Sequence, residues 1–163
     1  MRISDLNARI DNSASAPDLF IPVSKYVELK ENNLVPTEGD ILITSRGTLG
    51  RCYIVKQNDE FYFQDGMISW LSNINSQIAS LYLSHLFATT GVQKQIASSQ
   101  AGSTVAYLSI SMLKNLDIMS PPMELQERFA TFVEQTDKSK YYSSLSYIYC
   151  QLTANYFRQE WTT

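Results

Sequence analysis

Two adjacent prolines, Pro121 and Pro122, divide this chain into parts that obey different rules. From Met123 to the C-terminus neither proline nor glycine occurs, so no local breaker stops a helix. Residues 123–158 would span about 54 Å if helical throughout. Leu125, Phe129, Phe132 and Val133 form an apolar stripe in the first half of that rod. Tyr141, Leu145, Ile148, Leu152 and Tyr156 form another in the second half. A small domain cannot cover both stripes, and packing against a second helix is the cheapest way to bury the distal one. Leu125, Phe129, Phe132, Leu145, Ile148 and Leu152 are therefore the expected contacts of a partner or dimer helix. The stripes lose strict heptad spacing across residues 136–144, so the expectation is a helix pair and not a perfect coiled coil.

Ahead of the prolines the apolar pattern changes period. Gly39-Asp40 signals a turn, and Ile41-Leu42-Ile43 and Cys52-Tyr53-Ile54-Val55 flank Arg46-Gly47-Thr48-Leu49-Gly50, which reads as a hairpin. After a turn at Gln57-Asn58-Asp59-Glu60, Phe61-Tyr62-Phe63 and Met67-Ile68-Ser69-Trp70-Leu71 are two further strand candidates, with Gly66 as a bulge or tight turn. Ile78, Leu81, Tyr82, His85, Leu86, Thr89, Val92 and Ile96 then recur at three- and four-residue steps. That spacing predicts one amphipathic helix over 77–98, which Gly91 ends or bends. Ser109 is placed to cap a short helix over 110–115, and Ser120 before Pro121 repeats that logic for the rod. Residues 1–35 are irregular in pattern, with Tyr26, Leu29 and Leu34 able to line a short helix or strand. The fold class that follows is α/β (α+β): a small, mixed, twisted sheet with flanking helices over 1–120, then a long C-terminal helix over 121–163.

Composition removes several classes of function. Hydrophobic residues are 44% and charged residues 18% of 163, which suits a globular domain. The net charge of -3 gives no global basic field, so a solitary, tight nucleic-acid binder is disfavoured. Partner subunits could still supply most phosphate contacts. Cys52 and Cys150 are too few for a metal or disulfide pattern, and Cys52 among strand residues reads as a buried free thiol. No membrane-spanning run or signal peptide is evident, so no membrane partner and a cytoplasmic setting are expected. His85, the sole histidine, lies on the apolar face of the predicted helix and reads as a packed residue, so no zinc or iron site is expected. Asp40 and Asp65 read as turn residues. The tyrosines at 141, 142, 147, 149 and 156 read as helix-packing groups. No convincing catalytic constellation is present, and no catalysis is expected.

The chemistry concentrates in two blocks. The loop Ser45-Arg46-Gly47-Thr48-Leu49-Gly50-Arg51 supports three readings. It is a phosphate cradle, a DNA contact through Arg46, Thr48 and Arg51, or a plain hairpin turn whose arginines pair with nearby carboxylates. It lacks the lysine-then-hydroxyl ending of a P-loop. The second block runs from Gln93 and Lys94 through Ser98-Ser99-Gln100 and Gly102-Ser103-Thr104 to Tyr107. Its amides and hydroxyls suit base edges and phosphates, and Lys94 can neutralise a phosphate; a solvated loop with no ligand is the alternative.

These blocks, in this order, resemble the specificity (S) subunits of type I restriction–modification enzymes. The resemblance is carried by Glu38-Gly39-Asp40-Ile41-Leu42-Ile43-Thr44-Ser45-Arg46-Gly47-Thr48-Leu49-Gly50. It is carried equally by Leu113-Lys114-Asn115-Leu116 through Pro121-Pro122, Glu124-Leu125-Gln126 and Phe129. It implies a target recognition domain followed by one spacer helix. In that family two recognition domains, held apart by paired spacer helices, each read one half of a split sequence on double-stranded DNA. The helices also dock methyltransferase (M) subunits, and through them, indirectly, the restriction (R) subunit. S-adenosylmethionine is then expected only in the methyltransferase partner, with no cofactor in this chain. Arg46, Thr48, Arg51, Gln93, Lys94, Ser103, Thr104 and Tyr107 become the DNA-facing candidates, and residues 123–158 the spacer. The chain departs from the family by holding one recognition domain, without an expected first section, and one spacer helix. Such a half could pair with itself as a homodimer through the rod. A protein-interaction module that no longer binds DNA by itself, and a small enzyme holding a phosphorylated substrate on the Arg46–Arg51 loop, are the rival readings.

Overall fold

Among the described residues, Ile41-Leu42-Ile43-Thr44 is the one strand whose side chains are all buried, and the domain is organised around it (β1, Ile41–Thr44). The computed structural model describes residues 1–13, 19–63, 66–72, 74, 77–100 and 105–136. β2 (Cys52–Ile54) and β3 (Ile68–Leu71) flank β1, giving the order β2-β1-β3. Both pairings are antiparallel, so this α+β sheet contains no parallel pair. Because side chains alternate along a strand, β1 feeds two cores. Ile41 and Ile43 join Leu83, Leu86, Phe87, Val92, Ile96 and Leu108 on one face. Leu42 joins Leu6, Tyr53, Val55 and Ile68 on the other. The register agrees: Ile43 lies opposite Cys52 and Ser69, and Leu42 opposite Tyr53 and Trp70. Each fully buried Leu or Ile here contributes about 1.5–3 kcal/mol relative to an exposed one.

The hairpin, the turn at Gly66 and the short helix capped by Ser109 form as the sequence predicts. That helix is Ile110–Lys114, and the Ser109 hydroxyl accepts the Met112 amide at 3.2 Å. Asp40 is a turn residue, accepting the Thr37 amide at 2.8 Å, and it also takes the Trp70 indole N–H at 2.9 Å. Cys52 is a free, half-buried thiol that burial pushes up to about 12, which makes it unreactive. Asp65, Cys150 and the tyrosines from 141 onward lie outside the described residues.

Five expectations change. The stretch 1–35, read as irregular with Tyr26, Leu29 and Leu34 able to line a short helix or strand, holds two helices, α1 (Ile3–Ile10) and α2 (Val23–Glu31), the second of which takes up Tyr26 and Leu29. The start of α1 is fixed by Asp5, whose carboxylate reaches back to the Arg2 amide at 2.7 Å. Both helices stop on an asparagine in the left-handed region, Asn12 at φ 51° and Asn33 at φ 55°. Each stop is closed by paired bonds, Ser13 N–H to Ala8 O and Asn12 N–H to Arg9 O in α1, Leu34 N–H to Leu29 O and Asn33 N–H to Lys30 O in α2.

Secondly, Phe61-Tyr62-Phe63 is not a strand. Phe61 and Phe63 pack against the Leu42 core, and the Tyr62 carbonyl accepts the chain's terminal ammonium at 2.6 Å in place of a ladder bond.

Thirdly, the single helix expected over 77–98 is two, α3 (Ser80–Phe87) and α4 (Thr90–Ser99). The break falls at Thr89, not Gly91. The Thr89 hydroxyl donates to the last carbonyls of α3 through Leu86 O at 2.7 Å and accepts the Val92 amide of α4 at 3.4 Å. Periodicity survives the break because both helices face the same core.

Fourthly, His85 is exposed, since Leu83, Leu86 and Phe87 occupy the buried face of α3.

Finally, the C-terminal helix begins at residue 123, as the end of the proline pair predicts, but the cap expected at Ser120 with Pro121 as first helical residue does not form. Pro122 forces the residue before it out of the helical region, so the pair delays the start. The short helix at Ile110–Lys114 is α5, and the helix described over 123–136 is α6.

The chain divides into two units at Met123/Glu124. In α6, Leu125 and Phe132 are 49% and 66% exposed, and Phe129 is half-buried. Leu145, Ile148 and Leu152 lie outside the described residues.

On the Leu42 face, α1 is tied to the sheet by a polar cluster. Arg9 pairs with Asp59 at 2.7 Å and lies 5.0 Å from the Phe61 ring centroid and 5.8 Å from that of Tyr53. Burial alone would raise the Asp59 carboxyl. The Lys56 amide, the Tyr53 hydroxyl and the Arg9 guanidinium outweigh that and hold it below its usual value. A depressed folded-state pKa contributes stability that is full above the unfolded value of about 3.9 and is lost as pH falls through the folded one. Asp59→Ala should therefore cost about 2 kcal/mol at neutral pH, the worth of charged hydrogen bonds. The melting difference from the wild type should shrink below about pH 4. A pH-independent difference would remove the carboxylate as its cause.

Candidate nucleic-acid interface

The hairpin loop between β1 and β2 begins with a clasp. Thr44 is fully buried. Its backbone exchanges bonds with Arg51 and Gly50, with Thr44 N–H to Arg51 O at 2.9 Å and Gly50 N–H to Thr44 O at 2.9 Å. Its hydroxyl accepts the Arg51 amide at 3.0 Å and donates to the Thr48 carbonyl. Both ends of the loop are thereby held to one residue. Gly47 and Gly50 both take φ 75°, a conformation that L side chains rarely adopt. At Gly50 the constraint is doubled, because a Cβ would stand 2.8 Å from Ile96 Cδ1 and 3.0 Å from Gln93 Nε2.

Ser45, next along, is also fully buried and joins three segments. Its amide donates to the Met67 carbonyl at 2.7 Å, and its carbonyl accepts the Leu108 amide at 3.0 Å. Its hydroxyl meets that of Ser69 at 2.6 Å. Arg46 consequently forms an antiparallel bridge with Tyr107, and the Tyr107 amide is also held by the Gln100 side chain at 2.8 Å. Arg46, Gly66, Met67 and Tyr107 line an open hollow of about 380 Å³. Residues that lie 61 positions apart in sequence, Arg46 and Tyr107, thus share one surface.

The two arginines of the loop have different surroundings. Arg51 is engaged: its guanidinium bonds Asn7 Oδ1 at 3.0 Å and pairs with the Asp11 carboxylate. Arg46 is exposed, and among the described residues no carboxylate pairs with it. Thr48 is exposed beside it. In α4, Gln93 is turned inward, donating to the Phe87 carbonyl at 2.6 Å, while Lys94 is exposed. Lys94 lines a second open hollow of about 420 Å³ with Gln95, Ser98, Ser99, Met112, Asn115 and Leu116. Gln100 connects the two hollows, because its amide nitrogen approaches Met112 Sδ at 3.5 Å while its oxygen holds Tyr107. Ser103 and Thr104 lie outside the described residues.

The structure therefore brings Arg46 and Tyr107 together, leaves Thr48 exposed on the same loop, places Lys94 on the adjoining hollow, and commits Arg51 and Gln93 to internal contacts. Sequence reasoning missed Met67, the Ser45–Ser69 pair, and the role of Asn7 and Asp11 in holding Arg51. Only Ser45 carried a signal, as the next inward position after Ile41 and Ile43.

Residues 2–142 match the sequence profile of the type I restriction modification DNA specificity domain. The chain belongs to that family. A type I restriction enzyme specificity subunit assigned in Haemophilus influenzae is 30% identical over 129 residues, covering 78% of this chain and 31% of that relative. The chain thus spans about a third of the length of the relative it matches. The match to the specificity domain includes both sequence blocks, the hairpin loop and the stretch from Gln93 to Tyr107. Among the described residues of this specificity domain, no helix is long and apolar enough to cross a membrane.

Proposed function

We propose that this chain is a non-catalytic DNA sequence-recognition subunit, or half-subunit, of a type I restriction–modification system, reading one half of a bipartite target in the cytoplasm. The observation that supports the reading best is the open Arg46 beside Tyr107, on a loop whose backbone is clasped from within. An arginine held this way can bond guanine O6 and N7 bidentately, at about 1–3 kcal/mol of discrimination, while Thr48 and Lys94 suit phosphate oxygens. With a net charge of -3, the chain draws on partner subunits for much of the phosphate contact. Those partners are methyltransferase subunits docked along the C-terminal helix, and they hold S-adenosylmethionine; the restriction subunit joins through them.

Selection from random duplexes, with the chain alone and with its methyltransferase subunit, tests the recognition reading. The expected result is one recovered half-site motif and an affinity that falls with salt. No motif and no salt dependence in either mixture would leave a protein-interaction module as the function.

Docking is tested separately. Leu125 and Phe132 are exposed at a seven-residue step, so Leu125→Asp with Phe132→Asp should leave the unfolding free energy within about 0.5 kcal/mol of wild type. The same pair should abolish association with the methyltransferase subunit, or self-association, by light scattering. Unchanged masses would remove this helix face as the docking surface.

A further inference from the structure

A hydroxyl shut away from water is costly unless it finds a partner, and the buried one of Ser45 finds one at the base of the hairpin loop. Ser45 has no exposed surface, and its hydroxyl lies 2.6 Å from that of Ser69 on β3. Both side chains project to the Ile43 face, because Ser69 is the register partner of Ile43 and Ser45 is two residues beyond it. The same serine fixes the main chain of Met67 through its amide and that of Leu108 through its carbonyl. Of the four residues lining the 380 Å³ hollow, Arg46 follows Ser45 itself, Met67 is held by it, and Gly66 and Tyr107 precede the held Met67 and Leu108.

We infer that the Ser45–Ser69 hydroxyl pair is a positioning device for base selection. It never touches DNA, and it sets the separation of Arg46, Met67 and Tyr107 across the hollow. The inference rests on the reading of this loop as the DNA contact. The chemistry favours hydroxyls over an apolar pair for a physical reason. Two methyl groups would fill the space but tolerate sliding, whereas a bonded hydroxyl pair has one preferred length and direction. A bidentate arginine contact is sensitive to displacements of a few tenths of an ångström, so the register of β1 against β3 becomes a determinant of which base is accepted.

Ser69 is the better position to alter, since it is half-buried on an outer strand and its removal leaves Ser45 in place. The full chain, assembled with its methyltransferase subunit, is titrated with the recovered motif and with each single-base variant of it. Ser69→Ala should reduce discrimination at the base pair that Arg46 contacts by roughly tenfold, the worth of misaligning one good bidentate pair. Affinity for unrelated duplex at low salt should not change, because phosphate contacts do not read sequence. Ser69→Thr keeps the hydroxyl and suits a strand, and it should restore discrimination. A merely structural serine would lower all affinities together, or none, and either pattern would overturn the inference while leaving DNA recognition intact. If Ser69→Thr fails to restore discrimination that Ser69→Ala has lost, the hydroxyl is not the cause and the inference also falls. Absence of any selected motif for the wild type would overturn the DNA reading and this inference with it.

Discussion

Replacing Gly50 by alanine should destabilise the domain by about 3 kcal/mol and lower its melting midpoint by roughly 10 °C. Two costs add. The backbone sits at φ 75°, where a Cβ costs about 1–2 kcal/mol. The new methyl would also stand 2.8 Å from Ile96 Cδ1 and 3.0 Å from Gln93 Nε2, and overpacking of that kind costs about 1–3 kcal/mol. Ile96 is 2% exposed and has little room to yield. Gly47 supplies the internal control. It has the same φ but nothing within 4 Å of an added Cβ, so Gly47→Ala should cost only about 1 kcal/mol. Thermal denaturation of both variants decides the matter. Equal losses would mean that backbone strain, and not contact with α4, makes Gly50 a glycine.

Arg46→Ala should weaken binding to the recovered target by about 10- to 100-fold, relax selection at one base pair and leave the melting midpoint unchanged. Arg51→Ala should behave differently. Its partner Asp11 is 54% exposed, so the ion pair is worth under about 1 kcal/mol, and the variant should show a small thermal loss with sequence selection retained. Competition binding on target and single-base variants, together with thermal melts, separates the two. A thermal loss for Arg46→Ala comparable to that for Arg51→Ala would make Arg46 a structural residue.

The parts of this molecule that were legible in the sequence are those set by neighbours a few residues away. The β1–β2 hairpin is legible because Ile41-Leu42-Ile43 and Cys52-Tyr53-Ile54 flank two glycines, and α5 because Ser109 stands where an amide needs an acceptor. In the first third, Tyr26 and Leu29 mark α2 only as a short helix or strand, and α1 goes unread because the residues that bound it are polar. Asp5 starts one, and Asn12 and Asn33 stop both. The division at Thr89 escaped for the opposite reason: α3 and α4 keep one apolar period across the break, so periodicity alone cannot show it. In the interface, Arg46 and Tyr107 were each visible as polar candidates, but their juxtaposition depends on pairings across 61 residues. That Arg51 is committed to Asp11 and Gln93 to the Phe87 carbonyl follows from tertiary approach, which residue type cannot announce.

The clasp at Thr44 and Ser45 separates what must stay from what can vary. Thr44, Ser45, Gly50 and Arg51 hold the loop by internal contacts, while Arg46, Gly47 and Thr48 are exposed. A library randomised at positions 46 and 48, with the left-handed residue between them kept as glycine or asparagine, would therefore sample new tips on an unaltered mount. In such a scaffold, preference for sequence could diverge from one variant to the next while folding stability stays level, so that the loop becomes a socket for interchangeable readers.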